Sequence, residues 1–330
     1  MINLIIPKFW QQRRIISYFL LPFSYIYLII ITLRKRYYQY RSKIIFLAPV
    51  IIVGNITIGG TGKTPLVICL ANFLQQQGYN PGIIIRGYGG KNKGNPKLVT
   101  SKSNVEEVGD EALLITRQVT CPVIMNYDRV KAVKYLLKTY NCNVVISDDG
   151  LQHYRLPRDF EIAVIDDEFK FGNRFCLPAG PLREPLNRLN QIDFIIRNFN
   201  TQSPTRILAN EYSMILEPII FHNINNPSIT KTARDFKGEI IHAVAGIGRP
   251  QKFFQTLRQL NLTIIEHAFP DHYIFRSIDL TFDEKTVIMT EKDAVKCDKM
   301  VDKNLWYLEV KVRLENRFTR ALIHDLSYYS

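Results

Sequence analysis

Acidic residues are absent from the first third of this 330-residue chain, and Glu106 is the first Asp or Glu. Residues 1–105 contain 14 Lys or Arg, whereas the rest of the chain holds 29 basic and 30 acidic residues. The formal net charge of +13 therefore arises entirely in the N-terminal segment. A basic segment of this kind suits nucleic acid, anionic lipid or nucleotide phosphates, and charge alone does not choose among these partners.

Cysteine is also sparse, with five residues that stand far apart and form no C-x-x-C pair. An odd number of cysteines at such spacing argues against a disulfide framework and against a zinc site. A reduced, cytoplasm-facing compartment fits this usage best. Low-complexity stretches and repeats of fixed period are missing too, so a folded, enzyme-sized protein is expected.

An uncharged apolar run, residues 15–33, lies near the N-terminus between basic residues at 13–14 and 34–36. As a helix this run would be about 28 Å long, close to the thickness of a bilayer's hydrocarbon core. Pro22 interrupts the run and cations flank both of its ends, so the pattern favours a helix in the membrane interface over a spanning one. A buried apolar helix of the domain itself is the alternative.

A strand pattern, a glycine-rich turn and a helix pattern follow one another in residues 50–74. This is the context of a Walker A loop, in which backbone N–H groups and a helix N-terminus surround phosphates. Lys63 is expected to reach the β- and γ-phosphates, and the Thr64 hydroxyl to bind Mg²⁺. The predicted nucleotide-binding residues are Thr57, Ile58, Gly59, Gly60, Thr61, Gly62, Lys63 and Thr64.

Two details refine this nucleotide site. The G-x-x-x-x-G-K-[ST] pattern has glycine where this chain has Thr57. In the segment 290–293 (TEKD) lysine and aspartate are adjacent, which is not the spacing of a guanine-reading N-K-x-D element. ATP is therefore favoured over GTP.

Carboxylates follow a second buried-strand pattern, residues 143–147, which leads into Asp148, Asp149 and His153. Acidic residues at the carboxyl end of a strand beside the Walker strand hold the metal, or metal-bound water, in P-loop enzymes. Two adjacent carboxylates would repel each other unless a cation compensated them. Asp148 and Asp149 are therefore predicted metal ligands.

Other polar clusters are ambiguous from the residues alone. Asp110 and Glu111 open a helical stretch, where acids either complement the helix dipole or act in catalysis. Residues 166–168 (DDE) end a third strand pattern with the same two interpretations. His272 lies in a loop, and sequence spacing does not show whether it has a partner.

Together these motifs resemble the tetraacyldisaccharide 4′-kinase family of lipid A synthesis, over nearly the whole chain. The resemblance rests on residues 53–55 (VGN), 59–65 (GGTGKTP), 86–88 (RGY), 108–111 (VGDE), 147–153 (SDDGLQH), 177–185 (LPAGPLREP), 245–248 (AGIG), 269–273 (FPDHY) and 290–293 (TEKD). It implies transfer of the γ-phosphoryl group of ATP, with Mg²⁺, to the 4′-hydroxyl of a tetraacylated glucosamine disaccharide 1-phosphate, giving lipid IVA at the cytoplasmic face of the inner membrane. The implied partners are this lipid A disaccharide precursor and an anionic membrane surface, with no nucleic acid and no obligate protein partner.

The resemblance also implies roles for individual residues. The aspartate of the Gly-Asp-Glu motif and the histidine of the Asp-His motif act as a base-assisting pair in that family, and they correspond to Asp110 and His272. Lys63 is the third expected catalytic residue. The substrate and phosphate side is expected to include Arg86, Glu111, Arg129, His153 and Arg183. For Arg129 a surface arginine without a phosphate contact is an equally open alternative.

The implied fold is α/β: a P-loop NTPase-like, mostly parallel sheet with helices on both faces, plus a smaller C-terminal α/β domain and an N-terminal membrane-associated helix. The expected segments are a basic, apolar membrane-docking helix region (1–45), a P-loop kinase domain (46–205), a linker (206–237) and the C-terminal domain (238–330). His272 would then face an inter-domain cleft that could close on ATP. The alternative is a membrane-associated P-loop ATPase or GTPase that switches a protein partner, with a structural membrane protein third.

Overall fold

The computed structural model describes residues 7–41, 44–87, 94–199, 210–282, 285–297, 300 and 304–329. Tyr88 and the predicted boundary between residues 205 and 206 lie outside these residues. The strands are β1 Val50–Gly54, β2 Pro81–Ile85, β3 Lys97–Val99, β4 Val123–Met125, β5 Val144–Ser147, β6 Phe160–Asp166, β7 Phe194–Phe199, β8 Glu211–Asn223, β9 Thr230–Lys231, β10 Ile240–Ala245, β11 Thr263–Ala268, β12 Val287–Thr290 and β13 Leu305–Leu314. The α-helices are α1 Lys8–Gln11, α2 Ile15–Phe19, α3 Leu21–Arg41, α4 Lys63–Gln76, α5 Val105–Val108, α6 Asp110–Gln118, α7 Arg129–Thr139, α8 Pro250–Gln259, α9 Glu291–Ala294 and α10 Asn316–Leu326.

Within the described residues the thirteen strands form one sheet, in the order β11-β10-β12-β13-β8-β7-β6-β1-β5-β2-β4-β3, with β9 paired to β8. Most neighbouring strands run parallel, and the antiparallel pairs are β3 with β4, β8 with β13 and β8 with β9. The predicted α/β fold with a large, mostly parallel sheet is confirmed.

The long strand β8 connects the two halves of the sheet. Its first residues pair in parallel with β7, in a register that opposes Ile195 to Glu211 and Phe199 to Ile215. Its remaining length pairs antiparallel with β13. The sheet therefore passes without a break from a first half, β1 to β7, to a second half, β10 to β13.

The central strands of the first half are buried because both faces of the sheet are covered, and β1 and β2 are apolar along their whole length. Every residue of β1, β2, β5 and β6 is buried, as in parallel sheets with helices on both sides. Ile51 and Val53 face a core formed with α4 and α6, whereas Val50 and Ile52 face a core formed with α7. This alternation follows from the two-residue period of a strand.

The C-terminal helix α10 follows the strands of the second half in the sequence, but it packs against the first half. Its residues Phe318, Leu322 and Leu326 are fully buried in the core that contains α4 and β1. The last helix of the chain therefore completes the first half of the fold.

The N-terminal apolar run forms two helices, α2 and α3, with Pro22 in the first turn of α3, where its missing N–H costs nothing. A polar stripe fixes α3 to the body: Ser24 Oγ donates to the carbonyl of Cys176 at 2.8 Å, and Tyr27 Oη donates to that of Arg183 at 2.8 Å. Trp10 Nε1 likewise donates to the carbonyl of Pro178 at 2.9 Å. Among the described residues, no helix combines the length and the apolar character needed to cross a membrane.

Candidate active site

The predicted phosphate loop connects β1 to α4 and has the backbone that such a loop requires. Gly62 adopts a φ of +94°, and a Cβ there would lie 2.8 Å from Asn198 Nδ2, so only glycine fits. That same Nδ2 donates to the carbonyl of Thr61 at 3.0 Å. In front of Gly60 the space is open, because an added Cβ would have no described atom within 4 Å.

Thr57, which stands where the Walker pattern has its first glycine, lies in a different environment from Gly62. Its backbone is outside the left-handed region and forms an antiparallel bridge with Leu182. The next residue, Ile58, donates its N–H to the carbonyl of Pro181 at 2.8 Å. A neighbouring segment therefore supports the start of the loop, and glycine is not required at position 57.

The side chains of the loop meet the two carboxylates at the end of β5, the strand adjacent to β1. Thr64 Oγ1 donates to Asp148 Oδ2 at 3.2 Å, and Lys63 Nζ lies 3.5 Å from Asp149 Oδ1. Arg183 Nη1 lies 3.1 Å from both carboxylate oxygens of Asp149. The structure therefore brings these five predicted site residues together.

Asp148 and Asp149 differ in their electrostatic environment. Burial raises the pKa of Asp148, and the charge of Glu111 raises it further. Burial acts in the same direction on Asp149, but the charges of Lys63 and Arg183 outweigh it and hold the pKa of that carboxyl well below its usual range. Asp148 Oδ1 is buried and lacks a hydrogen-bond partner within the described chain, so this oxygen suits a cation such as Mg²⁺.

Arg129 and His153 lie behind these carboxylates. Arg129 is buried, its Nη2 donates to the backbone carbonyl of Asp148 at 2.6 Å, and burial lowers its pKa to about 10. Arg129 thus supports the Asp148 turn, whereas the sequence left a surface arginine and a phosphate contact equally open. Burial and the charge of Arg129 lower the pKa of His153 to about 3, so its imidazole is neutral. Arg86 is exposed at the rim of the cleft, with its guanidinium 4.7 Å from the ring centre of Tyr127.

Asp110 and His272, which are 162 positions apart, are in direct contact across the two halves. His272 Nδ1 lies 2.9 Å from Asp110 Oδ2 and 3.0 Å from Oδ1. Burial would raise the pKa of Asp110, but the hydrogen bond from His272 and the charge of Lys292 lower it to about 2. For His272, burial lowers the pKa and the bond to Asp110 more than offsets this, so the net shift is upward. When His272 is protonated, the two form an ion pair.

One cleft of about 2990 Å³ runs past most of these groups, whereas Thr57 and Asp110 are buried and do not line it. It is lined by the loop residues from Ile58 to Thr64 and by Arg86, Glu111, Arg129, Asp148, Asp149, His153, Arg183 and His272. A Cβ on Gly248 would lie 3.3 Å from Gly60 N, so the 246–248 turn of the second half closely approaches the phosphate loop.

Two further sets of charged residues in this region were not predicted as site residues. Lys292 Nζ lies 3.2 Å from Glu111 Oε1 and 3.3 Å from Asp271 Oδ1. Asp166, which was ambiguous, pairs with Arg249 Nη1 at 2.8 Å and Lys252 Nζ at 2.5 Å, both from α8. The available signal for Lys292 was the 290–293 segment, which lacks the guanine-binding spacing but belongs to the motifs of the family resemblance.

A family model described as tetraacyldisaccharide-1-P 4′-kinase matches residues 16–327. The chain belongs to this family. The tetraacyldisaccharide 4′-kinase of Coxiella burnetii (strain RSA 331 / Henzerling II) is 45% identical over 97% of this chain and 95% of its own, and that of Nitrosococcus oceani is 44% identical over 95% and 92%.

A solved structure agrees with this family. The crystal structure of LpxK from Aquifex aeolicus in complex with ATP is 30% identical in sequence, with a TM-score of 0.79 over 94% of this chain and 99% of that one. The predicted membership of the tetraacyldisaccharide 4′-kinase family is confirmed, and with it ATP-dependent, Mg²⁺-requiring kinase activity in lipid A synthesis.

Proposed function

We propose that phosphoryl transfer takes place in the cleft between the phosphate loop and the 269–273 turn. The acceptor is the 4′-hydroxyl of a tetraacyldisaccharide 1-phosphate, and the product is lipid IVA. The observation that carries this proposal is the Asp110–His272 pair, because His272 lines the same cleft as Lys63. A hydroxyl-directed kinase needs a proton acceptor near its phosphate-binding lysine, and here the partner of the proposed acceptor lines the cleft with that lysine.

The loop from Thr57 to Thr64 would bind the nucleotide phosphates, with Lys63 as the charge next to the transferred group. Thr64, Asp148 and Asp149 would hold Mg²⁺, and the unpartnered Asp148 Oδ1 supports this assignment. When bound, ATP and Mg²⁺ would supply the phosphoryl group and neutralise part of its charge. Arg86, Glu111, Arg129, His153 and Arg183 would form the substrate and phosphate side.

Asp110 would accept the 4′-hydroxyl proton while His272 holds its carboxylate ionised and oriented. A carboxylate with a pKa of about 2 is a weak base. Phosphoryl transfer, however, depends mainly on positioning and charge stabilisation, because its transition state is loose and needs little deprotonation of the nucleophile early on. Orientation of the hydroxyl is therefore the larger part of the role that we assign to Asp110.

Two substitutions test these roles. Lys63→Ala should abolish turnover, whereas Asp110→Asn should keep ATP binding and lose transfer by roughly two to four orders of magnitude, the usual range for a general base. The assay is transfer of labelled phosphate to tetraacyldisaccharide 1-phosphate in detergent, with nucleotide affinity measured by calorimetry. Near-normal transfer by Asp110→Asn would exclude Asp110 as the base, and ATP hydrolysis that is indifferent to the lipid would favour a switch ATPase instead.

For the domain organisation, we infer a kinase domain at residues 46–205, a linker at 206–237 and a smaller domain at 238–330. Separate apolar cores on β1–β7 and on β10–β13 support this division. The packing of α10 and of Val295 on the first core is an exception to it, since both belong to the C-terminal segment and yet pack on the larger domain.

The membrane-docking surface would be formed by residues 1–45 at the cytoplasmic face of the inner membrane. Support comes from α2 and α3, in which large apolar side chains point to solvent between exposed Arg13, Arg14, Arg34 and Arg36. Exposed apolar residues rimmed by cations favour an anionic lipid surface. A substrate with four acyl chains leaves the bilayer only at a large free-energy cost, so an enzyme that docks at the surface can reach it there.

A further inference from the structure

The segment 290–293 (TEKD) lies where the second half meets α6, and the mechanism above assigns it no role. Asp293 Oδ2 accepts from the backbone N–H of Gly246 at 2.9 Å and from the Thr290 hydroxyl at 2.7 Å, which fixes α9 within the second half. Glu291 accepts a hydrogen bond from Gln118, the last residue of α6 in the first half. Lys292, between these two anchors, is held against the start of α6.

Lys292 faces three carboxylates that come from both halves. Its Nζ lies 3.2 Å from Glu111 Oε1 and 3.9 Å from Asp110 Oδ2 in the first half, and 3.3 Å from Asp271 Oδ1 in the second. Its side chain is only 18% exposed. Burial alone would lower the pKa of Lys292, but the charges of Glu111, Asp110 and Asp271 hold it well above its ordinary value, so the ammonium group stays charged.

Without Lys292 this region would carry an excess of negative charge. The three carboxylates would face His272 as the nearest remaining cation, with Lys296 acting on Asp110 from farther away. Like charges at this separation repel, and the repulsion would act between α6 and the 271–272 turn. These are the two segments that carry Asp110 and His272.

We propose that Lys292 is a positioning residue for phosphoryl transfer: by binding Glu111 and Asp271 together it sets the contact between Asp110 and His272. The inference rests on the proposed role of Asp110 as proton acceptor. This role for Lys292 accounts for the whole 290–293 segment. Thr290 and Asp293 hold α9, Glu291 aligns it with α6, and Lys292 joins the two sides of the cleft.

Lys292→Met removes the charge and keeps the length of the side chain, and Lys292→Arg keeps the charge. We expect Lys292→Met to lower kcat by about 100-fold, the effect of misplacing a reacting group by about 1 Å, with the KM for ATP little changed. Lys292→Arg should recover most of the loss. Asp271→Asn, which removes one contact of Lys292 at a more exposed site, should show a smaller loss of kcat in the same direction, and it serves if Lys292→Met does not fold.

Lys252→Met is the matched control. Lys252 is also a largely buried lysine, 21% exposed, and its ion pair with Asp166 also joins the two halves, but it does not contact Asp110. If loosening of the halves were the whole effect of Lys292→Met, Lys252→Met would lower kcat equally, and the proposal would be overturned.

A double variant separates positioning from direct contact with the substrate. If Lys292 acts through Asp110, Lys292→Met should have little further effect on transfer in an Asp110→Asn background. A full 100-fold loss in that background, or near-normal kcat in Lys292→Met alone, would overturn the proposal. Near-normal transfer in Asp110→Asn alone would instead overturn the base assignment, so the two failures are distinguishable.

A titration by NMR adds a reading independent of turnover. The charge of Lys292 lowers the pKa of His272, which Asp110 and Asp271 raise. Lys292→Met removes this charge, but loss of the Asp110 contact, as we propose, removes the larger upward effect. The imidazole resonance of His272, identified by its loss in His272→Gln, should therefore titrate at lower pH in Lys292→Met than in the parent chain and in Lys252→Met. A titration at unchanged or higher pH would show that the contact with Asp110 survives without Lys292, and it would overturn the proposal.

Discussion

Replacing two exposed phenylalanines of the N-terminal helices should release the chain from lipid vesicles. Phe19 is 75% exposed and Phe23 is 59% exposed. Complete burial of such a side chain contributes about 1.5–3 kcal/mol. If the exposed fraction of each ring enters the bilayer, the Phe19→Ser, Phe23→Ser double variant loses about 2–4 kcal/mol of binding free energy. This corresponds to binding weakened roughly 30- to 700-fold.

The assay is flotation with vesicles that contain a fixed fraction of anionic lipid. The control is Ile278→Ser, because Ile278 is similarly exposed, at 76%, but lies in the second half of the fold. The KM for the lipid substrate in vesicles should rise in the double variant, whereas ATP affinity should not change, since neither ring lines the cleft. Wild-type vesicle binding by the double variant, or an equal loss in Ile278→Ser, would refute the reasoning.

Two further predictions concern stability. Asp293→Asn leaves Lys296 buried without the carboxylate that lies 2.7 Å from its Nζ, so we expect the free energy of unfolding to fall by about 3–5 kcal/mol in urea titrations followed by Trp306 fluorescence. A fall of under about 1 kcal/mol would contradict this. Asp110, with its pKa lowered to about 2, contributes stability above the unfolded-state pKa of 3.8 that disappears as the pH falls through about 2. His272, with its pKa raised, contributes stability below pH 6.5 that disappears as the pH rises through its folded pKa. His272→Gln should therefore flatten the alkaline decline of the melting temperature. An unaltered decline would count against the ion pair.

The parts of the site that sequence could predict are those set by local geometry. The strand, loop and helix around Lys63 were predictable because a left-handed glycine, a helix start and a buried strand all leave signals within about 25 residues. The meeting of Thr64 with Asp148 was predictable for a related reason, because parallel strands place their carboxyl ends on one edge of a sheet.

The contacts that sequence could not predict are long-range. Nothing in the local pattern of Asp110 or His272 indicates a partner 162 residues away, so the residues alone left both ambiguous and the family resemblance had to assign them. The position of α10 on the first core was not predictable for the same reason, because its apolar face could pack against any apolar surface. Arg129 was undecided because burial depends on tertiary packing, and its bond to the carbonyl of Asp148 is visible only in the folded chain.

The contacts between the two halves around the cleft include several ion pairs. The first half meets the second there through Asp110 with His272, Glu111 with Lys292, and Asp166 with Arg249 and Lys252. Asp110 and Asp166 are almost fully buried, so separating these pairs without water would leave unpaired charges at a cost of about 3–5 kcal/mol each. If the halves separate to admit nucleotide and lipid, water must therefore enter the boundary and solvate these groups. Asp110 and His272 come from opposite halves, so the pair that we propose for proton transfer would be complete only with the halves in contact.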